Sequence, residues 1–336
     1  MTRGALRVTI GAVDTFTGKL AVVTGGGSGM GRELARQLAA EGCSVAACDL
    51  DAESVAAAAA AARADAPAGV RVTGHACDVS DEAQVLRFRD ELLAGHDTDH
   101  VDLVFCNAGM GGGESFVAGR RDVWERTFAV DWWGVYYCAR AFLPLLIASD
   151  EGVLVTTSSV NGLWASLGPG MPQTAYSTAK FAVRGFSEAL IEDLRTHAPH
   201  VRVAVVLPGH VGTDIVANSL RARGLPEPGQ MSDEQVREVI PAGAQARLIQ
   251  AGLLADGASA AELRQVLVRA NADFRDKAPV SAAQAATIIL DGVRSGSWRI
   301  LIGRDAQVID AAVRAKPDAA YDYAELFKGQ TASGPS

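Results

Sequence analysis

Tyr176 and Lys180 stand four residues apart in Ala175-Tyr176-Ser177-Thr178-Ala179-Lys180. On a helix that spacing puts both side chains on one face, about one turn apart. A phenol ionises near pH ~10 in water. An ammonium fixed beside it favours the anion and lowers that value, so the pair can exchange a proton near neutral pH. A tyrosine four residues before a lysine also arises by chance in ordinary helices. The pair therefore carries weight only through what surrounds it.

A second constellation lies near the N-terminus. A short apolar run, residues 19–24, ends in Gly25-Gly-Gly-Ser-Gly-Met-Gly31. Gly25, Ser28, Gly29, Met30 and Gly31 form a turn that can bring a pyrophosphate to the N-terminus of the following helix, where amides and dipole favour an anion. The spacing is not the G-x-G-x-x-G of the common dinucleotide fingerprint. Asp49 ends the next apolar run, 18 residues after Gly31. Its carboxylate can accept hydrogen bonds from adenosine ribose hydroxyls and repel a 2′-phosphate. Leu50 and Ser28 stand where a 2′-phosphate would want a basic residue. These residues point to NAD rather than NADP. Asp51, not Asp49, is the better placed cap for the helix that follows.

The elements that must position these groups alternate. Short apolar runs at 19–24, 44–49, 70–76, 102–106, 152–157, 201–207 and 298–302 read as strands. Helical patterns separate them, among them 52–66, one from Asp81 to about 95, a long one over 120–148, and one from Tyr176 to about 197. The pattern predicts an α/β fold, a Rossmann-type doubly wound parallel sheet of about seven strands, with the whole chain, 1–336, as one domain. Ligands of such sheets sit at the carboxyl ends of the strands. The glycine turn, Asp49, Asp78, Asn107, Ser159 and Pro208-Gly209 all lie at such ends. Residues 214–280 break the alternation: Ser232-x-x-Gln235 and Ser259-x-x-Glu262 read as capping boxes opening two helices. This helical insertion, placed before the last core helix and strand, is a candidate substrate lid. An oligomer contact is its alternative use. A third box, Ser281-x-x-Gln284, reopens the core.

Composition removes several classes of function. The formal net charge is -8, with 39 acidic against 31 basic residues, and no basic run suggests a nucleic-acid surface. No apolar stretch has the roughly 18 residues of a membrane span, and the first 18 residues hold no apolar stretch of a secretory signal. The five cysteines, Cys43, Cys48, Cys77, Cys106 and Cys138, are scattered, with no Cys-x-x-Cys pair and no metal-ligand spacing. They read as small buried hydrophobes in a cytoplasmic protein.

Together these motifs resemble the short-chain dehydrogenases/reductases, over roughly 18–214 and again over 281–303. Thr24-Gly-Gly-Gly-Ser-Gly-Met-Gly31 is similar to the family's cofactor turn, Asp78-Val79 to its adenine-contacting pair, and Asn107-Ala108-Gly109 to the motif that steadies the central sheet. Ser159, Tyr176 and Lys180 resemble its catalytic residues. Pro208-Gly209-His-Val211-Gly-Thr213 is similar to the segment that closes over the nicotinamide. The resemblance implies hydride transfer between nicotinamide C4 and an alcohol or carbonyl carbon. Tyr176 would be the acid/base, Lys180 would lower its pKa and hold the nicotinamide ribose, and Ser159 would bind the substrate oxygen. It also implies a homo-oligomer, a tetramer or a dimer, built through the helices at 120–148 and from Tyr176 onward.

Two departures stand out. Asp131 occupies the place of the family's asparagine, which helps hold a proton-relay water; the change bears on the proton's route to solvent rather than on Tyr176. Ser159 and Tyr176 are 17 residues apart, longer than usual for the family, and the extra residues around Trp164 and Met171 are candidates to line the substrate. The surroundings, including 110–113, are mostly apolar, which suits an uncharged secondary alcohol or ketone, with room for a bulky one. Two other readings remain open: a non-catalytic NAD-binding regulator or scaffold, and an epimerase or dehydratase of the same superfamily.

Overall fold

A computed structural model describes residues 13–112, 115–166 and 171–326. Glycine 113 and residues 169–170, expected near the substrate, lie outside the described residues, as do the two chain ends. The core elements run β1 (Leu20–Thr24), α1 (Gly29–Ala40), β2 (Ser44–Asp49), α2 (Ala52–Ala64), β3 (Val72–Ala76), α3 (Glu82–His96), β4 (Leu103–Cys106), α4 (Arg121–Phe128), α5 (Gly134–Ile147), β5 (Val153–Thr157), α6 (Thr174–His197) and β6 (Arg202–Pro208). A two-residue strand β7 (Val211–Gly212) leads into α7 (Ile215–Ala222), α8 (Asp233–Val239), α9 (Ala242–Gln250) and α10 (Ala260–Asp276). Then come β8 (Val280–Ser281), α11 (Ala282–Arg294), β9 (Arg299–Ile302), α12 (Arg304–Ala315) and α13 (Tyr323–Leu326).

Seven strands form one parallel sheet in the order β3-β2-β1-β4-β5-β6-β9. The order reverses between β1 and β4, which opens a crevice beyond their carboxyl ends. Alternation along each strand builds the two faces. Ala21 and Val23 of β1 join the core under α1, α2 and α11, while Leu20 and Val22 join the core under α3, α5 and α6. All five cysteines are buried and free, as small hydrophobes. Among the described residues, no helix is long and apolar enough to cross a membrane.

The insertion behaves as its capping boxes predict. Ser232 and Ser259 each accept from the backbone three residues on, with the reciprocal side-chain bond present, and Ser281 does the same at α11. Leu220, Met231, Val236, Ile240 and Leu263 give the insertion a small apolar core of its own. Its foot is tied to the sheet by the β7–β8 ladder and by His210 Nε2, which donates to the Phe274 carbonyl at 2.7 Å.

Two expectations change. The long helix expected over 120–148 is interrupted by one π-turn, Ala129–Trp133, where the Gly134 amide bonds back five residues to the Ala129 carbonyl. Gly134 permits this close approach: a Cβ there would lie 2.7 Å from a Val79 methyl. Such wide turns re-aim side chains inward and recur at functional sites. Pro208, expected to end β6 from outside, is its last paired residue.

Candidate active site

The crevice at the reversal point is lined by the glycine turn (Gly25, Ser28, Gly29, Met30), by Asp49, Asp78 and Val79, by Asn107 to Met110, and by Thr213 and α7 of the insertion. Asn107 locks the two central strands. Its amide donates to Thr24 Oγ1 at 3.0 Å and its Nδ2 to the Thr24 carbonyl at 3.1 Å. Gly31 faces inward: a Cβ there would lie 2.1 Å from the Gly25 carbonyl oxygen. That contact, not exposure, explains the third glycine. Pro208 ends β6 and Val211 opens β7, so this segment leads from the sheet into the insertion beside Thr213 of the crevice.

The residues present fit a dinucleotide. Asp51 and Asp81 cap the first-turn amides of α2 and α3, but at α1 the N-cap Ser28 makes no such bond. Those amides are open to an anion, and no acidic residue occupies the first turn of α1. Asp49 Oδ2 accepts from the Gly27 amide at 2.9 Å and Oδ1 from the Asp51 amide at 3.2 Å. Each oxygen keeps acceptor capacity toward the crevice. Burial pushes the Asp49 carboxyl above its usual range, and these amides hold it back.

Two arginines in the crevice escaped the sequence reading. Arg126 pairs with Asp78 Oδ2 at 2.9 Å. Burial works to raise the Asp78 carboxyl, but Ser80 and Arg126 outweigh it and hold the group below its usual range. Arg221, on α7, donates to Glu227 at 2.7 Å and lies 3.9 Å from Asp51. The only signal for either was an isolated basic residue on a helix. The insertion closes over the glycine turn through Asn218 Nδ2, which donates to Ser28 Oγ at 2.9 Å. It also meets the loop after β4, where the Gly111 amide donates to Ser219 Oγ at 2.7 Å.

Tyr176 and Lys180 lie in the first two turns of α6, with the Lys180 ammonium 5.4 Å from the Tyr176 ring centre. Ser159 leads out of β5, accepts from the Asn161 amide at 3.1 Å, and its hydroxyl is close enough to Tyr176 to favour the ionised phenol. Ser158 is spoken for: its hydroxyl donates to the Lys180 carbonyl at 2.7 Å. Of the two serines, Ser159 is therefore the one at Tyr176.

Lys180 Nζ donates to the Thr157 carbonyl at 3.2 Å and to Asp131 Oδ1 at 2.9 Å. The Met110 amide also donates to Asp131 Oδ1, at 3.3 Å. The side chains of Asp131 and Lys180 are 0% and 4% exposed. Gly109 is the thin wall between this pair and the crevice; a Cβ there would lie 2.8 Å from Asp131 Oδ1 and 3.3 Å from Lys180 Nζ. Asp131 Oδ2 has no hydrogen-bond partner among the described residues.

This pair corrects the expected acidity of Tyr176. Burial pushes the phenol up, Lys180 pulls it down, and Asp131 pushes it up again; the net direction in the protein alone is upward. Asp131 thus bears on Tyr176 itself and not only on the proton's route outward. For Lys180 burial lowers the ammonium's affinity for its proton, and Asp131 more than restores it.

Trp164, expected near the substrate, packs against the C-terminal segment. It is buried against Ala312, Ala320 and Leu326, and its indole N–H donates to the Ala320 carbonyl at 2.6 Å. The Tyr321 hydroxyl of the same segment also accepts from the Ala165 amide at 3.3 Å. Trp164 is anchored to that segment. Met171 is half exposed, at 50%. No group of three or more potential metal ligands occurs among the described residues.

The sequence profile described as short chain dehydrogenase matches residues 19–224. The protein called SadH in Mycobacterium tuberculosis (strain ATCC 25618 / H37Rv) is 33% identical over 305 residues, spanning 90% of this chain and 92% of SadH. Among solved structures, a short chain dehydrogenase/reductase from Burkholderia phymatum in complex with NAD superposes with a TM-score of 0.68 at 26% identity, over 96% of this chain and 99% of that one. A metagenomic short-chain oxidoreductase in complex with NADP superposes with a TM-score of 0.50 at 33% identity, over 58% and 83%. The profile match spans more than half of the sequence and the likeness to SadH runs nearly end to end, so the chain belongs to the short-chain dehydrogenase/reductase family of oxidoreductases.

Proposed function

We propose that the protein is an NAD-dependent oxidoreductase that interconverts an uncharged secondary alcohol and its ketone. The observation that carries this reading is the grouping of Ser159, Tyr176 and Lys180 just beyond β5, with the Lys180 ammonium close behind Gly109 of the crevice wall. Asp49 supports NAD as the cofactor. A 2′-phosphate on the ribose would meet the Asp49 and Asp51 carboxylates, and the nearby Arg221 is already engaged by Glu227. The NADP complex of a relative makes this a point for measurement.

The amides at the start of α1 would hold the pyrophosphate, Asp49 the adenosine ribose, and Asp78 or Val79 the adenine edge. Lys180 would hold the nicotinamide ribose. When bound, the nicotinamide supplies or accepts the hydride; the protein fixes its ring against the substrate carbon. Ser159 Oγ would donate a hydrogen bond to the substrate oxygen. Tyr176 Oη would give that oxygen a proton in reduction and take one from it in oxidation. The insertion, already touching Ser28 and the loop after β4, would serve as the substrate lid.

The protein would act as a homo-oligomer. Trp133 and Phe181, on the outer side of the π-turn and of α6, are each 41% exposed, and Ile147 of α5 is 43% exposed. Sedimentation of the purified chain as a monomer would remove this part. Five free buried cysteines suit the reducing cytoplasm.

Titrating the purified protein with NADH and with NADPH, followed by tryptophan fluorescence, tests the cofactor. NADH should bind about tenfold tighter or more. Equal affinities would contradict the role given to Asp49. A panel of secondary alcohols with NAD, followed by NADH absorbance, separates the enzyme from a non-catalytic NAD-binding regulator.

A further inference from the structure

The exchange of asparagine for Asp131 has a consequence set by distance and burial. Its carboxylate lies 2.9 Å from Lys180 Nζ, and both side chains are cut off from water. An amide in that place would leave the ammonium as a lone buried cation beside Tyr176. A carboxylate makes the pair neutral overall. The field that would draw the proton off a nearby phenol is thereby largely cancelled.

No third charge intervenes among the described residues. The groups acting on Tyr176 are Lys180, Asp131 and the neutral Ser159 hydroxyl. Those acting on Asp131 are Lys180 and the Met110 amide, and those acting on Lys180 are Asp131 and Tyr176. The loop after β4 and the end of β5 contribute only backbone groups, the Met110 amide and the Thr157 carbonyl.

We propose that Asp131 neutralises Lys180 and so keeps Tyr176 in its protonated, proton-donating form around neutral pH. This rests on Tyr176 as the acid/base group. Asp131 is then a positioning residue that acts through the charge of Lys180. It favours ketone reduction near neutral pH and moves alcohol oxidation to higher pH, where the phenol ionises. The acid limb of the oxidation rate against pH belongs to Tyr176 and lies higher than it would beside an uncompensated lysine.

The test uses the full-length protein and needs no substrate. Phenolate absorbance is followed against pH in wild type and in Asp131→Asn, each minus the matching protein carrying Tyr176→Phe, which cancels the other four tyrosines of the chain. Asp131→Asn should lower the Tyr176 midpoint by about one to three pH units. An unchanged or raised midpoint overturns the proposal. Asp131→Ser removes the same charge with a different shape and must shift the midpoint in the same direction; a shift that follows shape instead of charge also overturns it. Because the readout is a titration, it stands apart from the proposed function. A shifted midpoint in an inert protein keeps this inference and removes that reading, and an unshifted midpoint in an active enzyme does the reverse.

Discussion

At the Asp49 end of the crevice, charges stand at the rim. Arg126 and Asp78 are 26% and 21% exposed as a pair, and Arg221 is 47% exposed beside Glu227. At the other end, behind Gly109, Asp131 and Lys180 are sealed at 0% and 4%. Water screens the first group, so each ion pair there contributes about 0–1 kcal/mol. Nothing screens the second. There a single change of side chain, amide to carboxylate, resets the acidity of a neighbour. The same ion-pair chemistry is thus weak where water reaches it and strong where it is sealed.

Breaking each pair sharpens that contrast. Lys180→Met leaves the Asp131 carboxylate buried without a counter-charge and should destabilise the fold by about 3–5 kcal/mol. Arg126→Met should remain within about 1 kcal/mol. Urea midpoints at neutral pH measure both. The loss in Lys180→Met should depend on pH with a definite sign. Burial already pushes the Asp131 carboxyl up, and without Lys180 no charge pulls it back. The folded variant then takes up a proton more readily than the unfolded chain, so its stability recovers as pH falls and is lost as pH rises. Equal losses in the two variants would erase the distinction between the two ends.

Asp49→Ala should act on ligand choice and not on the fold. It removes charge-assisted hydrogen bonds worth about 1.5–3 kcal/mol, so the preference for NADH over NADPH should fall about tenfold to a hundredfold in the fluorescence titration. The smallest effect belongs to the insertion. Asn218→Ala deletes one part-buried hydrogen bond to Ser28, worth about 0.5–1.5 kcal/mol. Hydrogen exchange of the α7 amides should quicken while β1 and β4 stay protected. Unchanged α7 exchange would mean that the insertion is held by its other contacts.

The sheet was legible in the sequence because its strands are short, the inner ones are apolar on both faces, and several end in residues with restricted backbone roles. The three capping boxes were legible because a serine with Gln or Glu three residues later satisfies orphan amides locally. Asp51 as the cap of α2 followed from the same logic. What failed depends on contacts between distant parts of the chain. The π-turn at 129–133 leaves the helical pattern of the sequence intact, so nothing in the spacing of Phe128, Val135 and Phe142 betrays it. Asp131 was noticed as a substitution, yet its reach to Lys180 depends on that turn. Trp164 was expected near the substrate because it lies between Ser159 and Tyr176, and its anchoring to the C-terminal segment went unseen. Its partner Ala320 is 156 residues away, beyond any local signal. Arg126 and Arg221 reach the crevice for the same reason, as side chains of helices whose docking the sequence does not state.

The central claim is that Tyr176 carries the proton of a reaction whose hydride belongs to NAD. Tyr176→Phe keeps the ring and its packing and removes only the hydroxyl. Turnover of a secondary alcohol or ketone that the wild type uses should fall by about a hundredfold to ten-thousandfold, while NADH affinity stays within a factor of about three, less than the factor of ten that ~1.4 kcal/mol would produce. Turnover near the wild-type rate in that variant would contradict the account.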